Sequence, residues 1–325
     1  MSAWDVLTYT FHSHIIDHGY RMPIVERPIR SLREKRAAFV TMQGAPVACR
    51  RECPGGRSLR GNSDMEPDFT GHGVVVTGAL GIYGTWIADA FAQAGAKLCL
   101  TDRDRAGLEQ RLTASGGAPG SFVHATDITD DMALAGLAAE VGRRWGAADI
   151  LVNNAGVYPS GFLLDIDAAE WDRIMDINVR VPFLLTQALT KQMIAAGRTG
   201  SVINISSGAA HKMRRSMVPY CLSKTALDRL TKGYAIELAQ FGIRVNAVEP
   251  GFAAGSTASP LTDEHVRQTT AGIPLGRASS PGDAAGAVLY LCSQAASYVT
   301  GTSISVDGGN SIGSLVVHQD KKQPL

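Results

Sequence analysis

From residue 73 onward the chain alternates short apolar runs with stretches whose apolar residues recur at helical spacing. Gly73-Val-Val-Val-Thr77 is nearly continuous in apolar, β-branched residues, as expected of a strand buried on both faces. Between Gly81 and Gly95, Trp86, Ile87, Ala90, Phe91 and Ala94 fall toward one side and predict a helix. The same reading gives strands at Lys97–Thr101, Phe122–His124 and Ile150–Val152, with helices over Arg103–Ser115 and Met132–Trp145. A long helix is expected around Trp171–Ala196, then a strand over Ser201–Ser206 with Ser207 at its end, and a helix opening near Ser216. A strand at Ile243–Val248, a loop-rich stretch, a helix near Ala284–Ser293 and a strand at Ser303–Val306 close the series. This alternation predicts the α/β class: a Rossmann-like, doubly wound parallel sheet in a single domain, residues 65–325. Ligands of such sheets bind outside the carboxyl ends of the strands, which is where chemistry is to be sought.

Residues 1–64 do not join the pattern. They hold ten Lys/Arg against six Asp/Glu, show no sustained periodicity and end in the loop-like run Pro54–Ser63. A poorly ordered, irregular basic extension is expected, with Met65 as the physiological start. The arginines would suit a targeting peptide, but the acidic residues weigh against one. His12, His14, His18, Cys49 and Cys53 match no standard zinc spacing, and no metal site is expected.

Composition narrows the classes further. A formal net charge of +1 over 325 residues gives no reason to expect a nucleic-acid or membrane-surface partner. No apolar run is long enough to span a membrane, and the start lacks the apolar core of a signal peptide. Five cysteines, an odd number at irregular spacing, argue against a disulfide framework. A cytoplasmic location is expected.

The candidate chemistry lies at the strand ends. Gly78, Gly81 and Gly84 stand between the first strand and the first helix, where glycines let the backbone approach a pyrophosphate and the helix N-terminus presents free N–H groups. Tight turns alone would also explain them. Asp102 ends the second strand, where a carboxylate can accept from ribose hydroxyls and repel a 2′-phosphate; NAD is therefore expected over NADP, with Arg103 as the contrary feature. Asp102 could equally be an N-cap of the next helix. Tyr220 and Lys224 lie four apart on one helix face, and Ser207 ends the preceding strand, so a hydroxyl, a phenol and an ammonium could meet one carbonyl. An ammonium about 4 Å from a phenol favours the phenolate by about 4 kcal/mol at an effective dielectric near 20. That is worth up to roughly three pKa units before solvent losses and, with the charge of an oxidised nicotinamide assisting, would bring Tyr220 into range as a general acid/base.

In this order the motifs resemble those of the short-chain dehydrogenase/reductase family, in its single-domain branch of about 250 residues, over about residues 68–310. The matching pieces are the glycine turn, Asp127-Ile128, Asn153-Asn-Ala-Gly156, Asn178, Ser207, Tyr220-x-x-x-Lys224, Pro250-Gly251 and Asp307-Gly-Gly309. The resemblance implies interconversion of a secondary alcohol and a ketone with NAD(P), and a homotetramer. It also implies that Asp127 and Ile128 contact the adenine, that Asn154 meets the cofactor, and that Pro250 and Gly251 face the nicotinamide. Lys224 would hold the ribose as well as lower the pKa of Tyr220, Ser207 would orient the substrate oxygen, and Asn178 would kink its helix and hold a water of the proton relay. Two places depart from the family pattern. Ile82 occupies its middle glycine, with Gly81 one place earlier, which predicts an altered phosphate turn; and Gly255 stands where Thr is frequent, followed by Ser256 and Thr257.

The substrate is not readable. His211, Lys212, Arg214 and Arg215 could recognise an acidic substrate or acyl carrier, or could be a solvated or subunit-contacting loop. Tyr158, Met213 and Met217 would supply apolar lining, and residues 252–275 a mobile lid. A 3-oxoacyl thioester reductase of the same family, or a non-catalytic dinucleotide-sensing protein on the same fold, are the alternatives.

Overall fold

The computed structural model describes residues 67–158, 161–255, 261–313 and 315. The expected extension, 1–64, lies outside them, as do Ser256 and Thr257. Seven strands form one parallel sheet in the order β3-β2-β1-β4-β5-β6-β7. They are β1 (Gly73–Thr77), β2 (Lys97–Asp102), β3 (Phe122–Ala125), β4 (Ile150–Asn153), β5 (Gly200–Ile205), β6 (Ile243–Pro250) and β7 (Ser303–Val306). The strand order reverses between β1 and β4, so a crevice opens at the carboxyl ends there, the place where doubly wound sheets bind ligands.

Helices cover both faces. The α helices are α1 (Ile82–Gln93), α2 (Arg105–Ser115), α3 (Asp131–Trp145), α4 (Ala168–Met175), α5 (Val181–Ala195), α6 (Val218–Leu238), α7 (Asp263–Ala271) and α8 (Pro281–Cys292). Because side chains alternate along a strand, Val74 and Val76 pack with Ile87 and Phe91 of α1 and Val288 and Leu291 of α8. Val75 turns to the opposite layer, with Leu137 and Val141 of α3, Leu185 and Leu189 of α5, and Leu238 of α6. All five residues of β1 are buried, which is why its sequence shows no polar alternation.

Three boundaries differ from the sequence reading. The long helix expected over Trp171–Ala196 is two α helices joined by a π-turn, Asp176–Arg180, and it starts at Ala168, with Asp167 accepting from the Glu170 N–H as its cap. The helix expected from Ser216 begins at Val218, because Ser216 takes a left-handed backbone (φ 65°) that no helix can include. The last helix begins earlier than expected, at Pro281, behind a Ser280/Asp283 capping box.

Phe91 is fully buried and stacks edge-on against Phe69 at 5.0 Å between ring centroids. Phe91→Ala should cost about 3–5 kcal/mol of stability, read as a lower urea midpoint with an unchanged slope. A loss under 1 kcal/mol would contradict this packing.

Candidate active site

The turn after β1 is built by two glycines and braced from β4. Gly78 has φ 62°, and a Cβ there would stand 2.8 Å from the Ala155 Cα; one at Gly84 would stand 2.1 Å from the Gly78 carbonyl oxygen. Only glycine fits either place. Gly81 is different: with φ −71° it is ordinary backbone, and a Cβ would meet nothing closer than 3.4 Å. That explains how a chain with Ile82 at the family's middle glycine still forms the turn, since Ile82 becomes the first residue of α1 with its side chain half-exposed. Gly81 gives α1 no side-chain cap, and its first turn holds no acidic residue, so the helix end keeps donors and positive dipole for an anion.

Asn154 does not reach outward with its amide. Its Nδ2 donates to the Thr77 and Gly78 carbonyls, both at 2.9 Å, while the Thr77 hydroxyl accepts from the Asn154 and Ala155 N–H groups at 3.0 Å. The residue fixes the turn by tying β1 to β4. Asp102 accepts from the Leu80 N–H (3.2 Å) and the Arg103 N–H (2.8 Å), which holds its carboxylate beside the same turn. It is not a helix cap, because α2 starts after Asp104. Asp127 accepts from the Thr129 N–H and hydroxyl, which hold its carboxyl below its ordinary value, and Ile128 packs on the second core layer. The sequence reading missed Tyr83, whose hydroxyl donates to the Gly251 carbonyl at 2.9 Å and so links the glycine turn to Pro250-Gly251. Only its position inside the glycine motif could have pointed to it.

Ser207, Tyr220 and Lys224 do come together. Ser207 lies just past β5, in extended backbone, and accepts from the Ala209 N–H as the cap of a one-turn 3₁₀ helix. Its hydroxyl lies beside the Tyr220 phenol. Lys224 is buried, donates to the Ile205 carbonyl at 2.8 Å, and sits 5.8 Å from the centre of the Tyr220 ring.

Electrostatics correct the expected effect of this pair. Burial pushes the Tyr220 phenol above its ordinary value, and the neighbouring Ser207 hydroxyl and the Arg214 charge only partly oppose it. Burial also takes Lys224 down to about 8, against the pull of Asp228. Both ionised forms are disfavoured for want of water, so Lys224 by itself does not bring the phenol down.

Asn178 sits fully buried in the π-turn. Its Oδ1 accepts from the Val157 N–H (2.9 Å), and its Nδ2 donates to the Val157 carbonyl (2.8 Å) and the Ser223 hydroxyl (2.9 Å). A Cβ at Gly156 would lie 3.3 Å from the Asn178 Oδ1 and 3.5 Å from the Lys224 Nζ, so both groups border one small space above that glycine.

The basic loop is less free than its sequence suggests. His211 meets Glu249 at 2.7 Å, Lys212 donates to the Asn310 carbonyl at 2.8 Å, and Arg215 lies over the Phe162 ring. Arg214 is the member whose charge acts on Tyr220. Tyr158 stands edge-on to Tyr220 at 6.3 Å, while Met213 is exposed. Within the expected lid, α7 occupies Asp263–Ala271. A cavity of about 500 Å³ behind Pro250-Gly251 is lined by Gly251, Phe252, Ile273 to Leu275 and Asp307, but by none of the Ser207, Tyr220 and Lys224 group.

Residues 78–311 match the family model described as enoyl-(acyl carrier protein) reductase. The chain belongs to the short-chain dehydrogenase/reductase family. It is similar to a sorbitol dehydrogenase of Cereibacter sphaeroides, 32% identical over 74% of this chain and 97% of that one. It is also similar to a 3-oxoacyl-(acyl-carrier-protein) reductase of Thermotoga maritima, 33% identical over 72% and 96%. Among solved structures, one from Beutenbergia cavernae described as an NAD(P)-dependent gluconate 5-dehydrogenase, with NADP bound at low occupancy, superposes with a TM-score of 0.70 at 31% identity, covering 76% of this chain and 99% of that one. The protein is thus an oxidoreductase acting on CH–OH groups with a nicotinamide dinucleotide. The unobstructed glycine cradle and uncapped helix end described above fit such a cofactor. No helix among the described residues is long and apolar enough to cross a membrane.

The burial of Lys224 has a measurable consequence. Its value falls from 10.5 unfolded to about 8 folded, so the folded chain binds fewer protons between those limits. Ionised Lys224 therefore opposes folding fully below about 8, by about 3 kcal/mol, and the opposition fades as pH rises to 10.5. Lys224→Met removes it and leaves the Ile205 carbonyl without its donor at every pH, which is a constant offset. The stability of Lys224→Met relative to the native chain should fall steadily as pH rises above 8 in urea denaturation without cofactor. A difference that does not change with pH would contradict the assignment.

Proposed function

We propose that Tyr220 is the general acid/base of this enzyme, with Ser207 and Lys224 as its partners, in the interconversion of a secondary alcohol and a ketone. The observation that carries this is the Ser207 hydroxyl beside the Tyr220 phenol, with a buried ammonium 5.8 Å from the centre of the phenol ring. When bound, the nicotinamide dinucleotide takes up or returns the hydride, and its oxidised ring adds positive charge that favours the phenolate. Ser207 donates to the substrate oxygen and fixes it beside Tyr220. Tyr220 removes the hydroxyl proton during oxidation and gives it back during reduction. Lys224 holds the ribose and passes the proton on. Asn178 shapes the space that both groups border above Gly156, where a relay water would sit; since its amide is spent on Val157 and Ser223, it serves mainly as a positioning residue.

NAD is the favoured cofactor. The Asp102 carboxylate, held by two backbone N–H groups at the end of β2, suits ribose hydroxyls and repels a 2′-phosphate; the NADP in the relative from Beutenbergia cavernae belongs to that protein. Asp127, Ile128, Asn154, Ile82, Gly78, Gly81, Gly84, Pro250 and Gly251 complete the cofactor site in this reading, Asn154 by bracing the turn. For the substrate, a polyol-type alcohol is favoured by likeness to the sorbitol dehydrogenase. A second reading, reduction of 3-oxoacyl thioesters, draws on Arg214 beside Tyr220 and on the exposed Met213 and Phe162 nearby. Exposed Phe183 on α5 and Leu222 and Ile236 on α6 support a homotetramer that covers them. Free Cys99, Cys221 and Cys292 suit the reducing cytoplasm.

Tyr220→Phe should lower kcat at least about 100-fold while the dissociation constant for NAD changes little, measured by absorbance at 340 nm and by calorimetry. Turnover near that of the native enzyme would refute the role. Run with NAD and NADP side by side over alcohols, polyols and 3-oxoacyl thioesters, the native enzyme should favour NAD, and Asp102→Ser should narrow that preference at least about tenfold. An unchanged preference would remove Asp102 from the account.

A further inference from the structure

Behind Ser207 lies a group that the hydride chemistry does not use. Glu249, the residue before Pro250 on β6, is completely buried, and Asp228, one turn after Lys224 on α6, is nearly so. His211 enters from the basic loop and places its Nε2 2.7 Å from the Glu249 Oε1, while its ring stays open to solvent. One ligand atom from each residue lies within 4.8 Å of the other two.

The partners already present leave this group incomplete. Ser305 donates to the Glu249 Oε2 at 2.6 Å, but the Asp228 Oδ1 is buried without a hydrogen-bond partner. The Ser206 hydroxyl is also buried; it lies beside Asp228 yet makes no hydrogen bond of proper geometry. Lys224, one turn before Asp228 on α6, is turned to the Ile205 carbonyl. Two adjacent buried carboxylates and an imidazole therefore face one another with unsatisfied oxygen atoms between them, an arrangement that calls for a proton, a water or a cation.

We propose that His211, Asp228 and Glu249 form a binding site for one divalent transition-metal ion of the zinc class. One neutral imidazole and two carboxylates offer a borderline donor set that balances a charge of +2, and the set suits zinc better than calcium or magnesium. Ligand atoms of a tetrahedral zinc site stand about 3.4 Å apart when the bonds are about 2.1 Å long, so on binding the wider separations, up to 4.8 Å, close while the His211–Glu249 pair, now 2.7 Å apart, opens to admit the ion. The Ser206 hydroxyl or a water takes the fourth position, and the exposed face of His211 is the way in. Bound there, the ion ties the loop that carries Arg214 and Arg215 to the ends of β5 and β6, directly beside Ser207. The three ligands come from a loop, a helix and a strand, so no local spacing marks them as a metal motif.

The test uses the full chain, stripped with a chelator, and titrates it with Zn²⁺ against a chromophoric chelator and with Co²⁺ by visible absorption. The native chain should bind one more equivalent than His211→Ala and show a tetrahedral Co²⁺ band that His211→Ala lacks. His211→Cys, which restores a zinc ligand, should recover that equivalent. His211 is exposed and sits in a loop, so its variants should fold; circular dichroism verifies this, and Asp228→Asn provides a second loss of the site from another element. The His12, His14, His18, Cys49 and Cys53 group is common to all these chains, so the difference between them isolates the proposed site. Equal binding by the native chain and His211→Ala, or no binding by the native chain, would overturn the proposal, and a shared proton or bridging water would give one of these results.

Discussion

The site depends on one expensive placement, an ammonium taken out of water. Lys224 can be buried because the Ile205 carbonyl, at the end of β5, accepts from its ammonium. α6 then presents Tyr220 one turn earlier on the same face, and the chain leaving β5 carries Ser207 back over it. Dryness is what gives these groups leverage, since charges act more strongly where water cannot screen them. It also works against both ionised forms: the phenol is pushed up and the ammonium down to about 8. In the proposed reading the side chains hold the proton site in place, and the charge of the oxidised dinucleotide tunes it.

The remaining architecture brings the cofactor turn to that point. β1 and β4 are neighbours across the reversal of strand order, and Thr77 and Asn154 lock their ends together in a web of hydrogen bonds. Gly78 and Gly84 permit the close backbone approach, and Tyr83 spans from the turn to Gly251. The π-turn does a related task on the other side: it places the Asn178 amide against Val157 and Ser223, so the loop after β4 cannot drift from α6.

Much of this was legible in the sequence, because strands buried on both faces and glycine turns leave strong local marks. The order of elements followed from Val74–Val76 and its counterparts, and the Ser207, Tyr220 and Lys224 group from motif spacing. What local patterns could not carry was contact between distant segments. Asn154 braces the glycine turn through partners 76 and 77 residues away, a contact that no local pattern shows. Ser216 looked like a helix start, yet its left-handed backbone is imposed by the loop. The burial cost that pushes the phenol up and the ammonium down is likewise set by the packing of distant segments, which a Coulomb estimate between two groups omits. The basic loop is a similar case, since the contacts of His211 with Glu249 and of Lys212 with Asn310 join segments far apart in the chain.

The central claim is that a buried phenol, tuned by nearby positive charge, moves the proton while hydride moves at carbon. The most direct test is the pH dependence of kcat/KM for alcohol oxidation at saturating NAD. The account predicts a rise with pH to a plateau, governed by one group that titrates below the free phenol value of about 10. A profile flat across that range, or one that keeps rising beyond about 10, would contradict it.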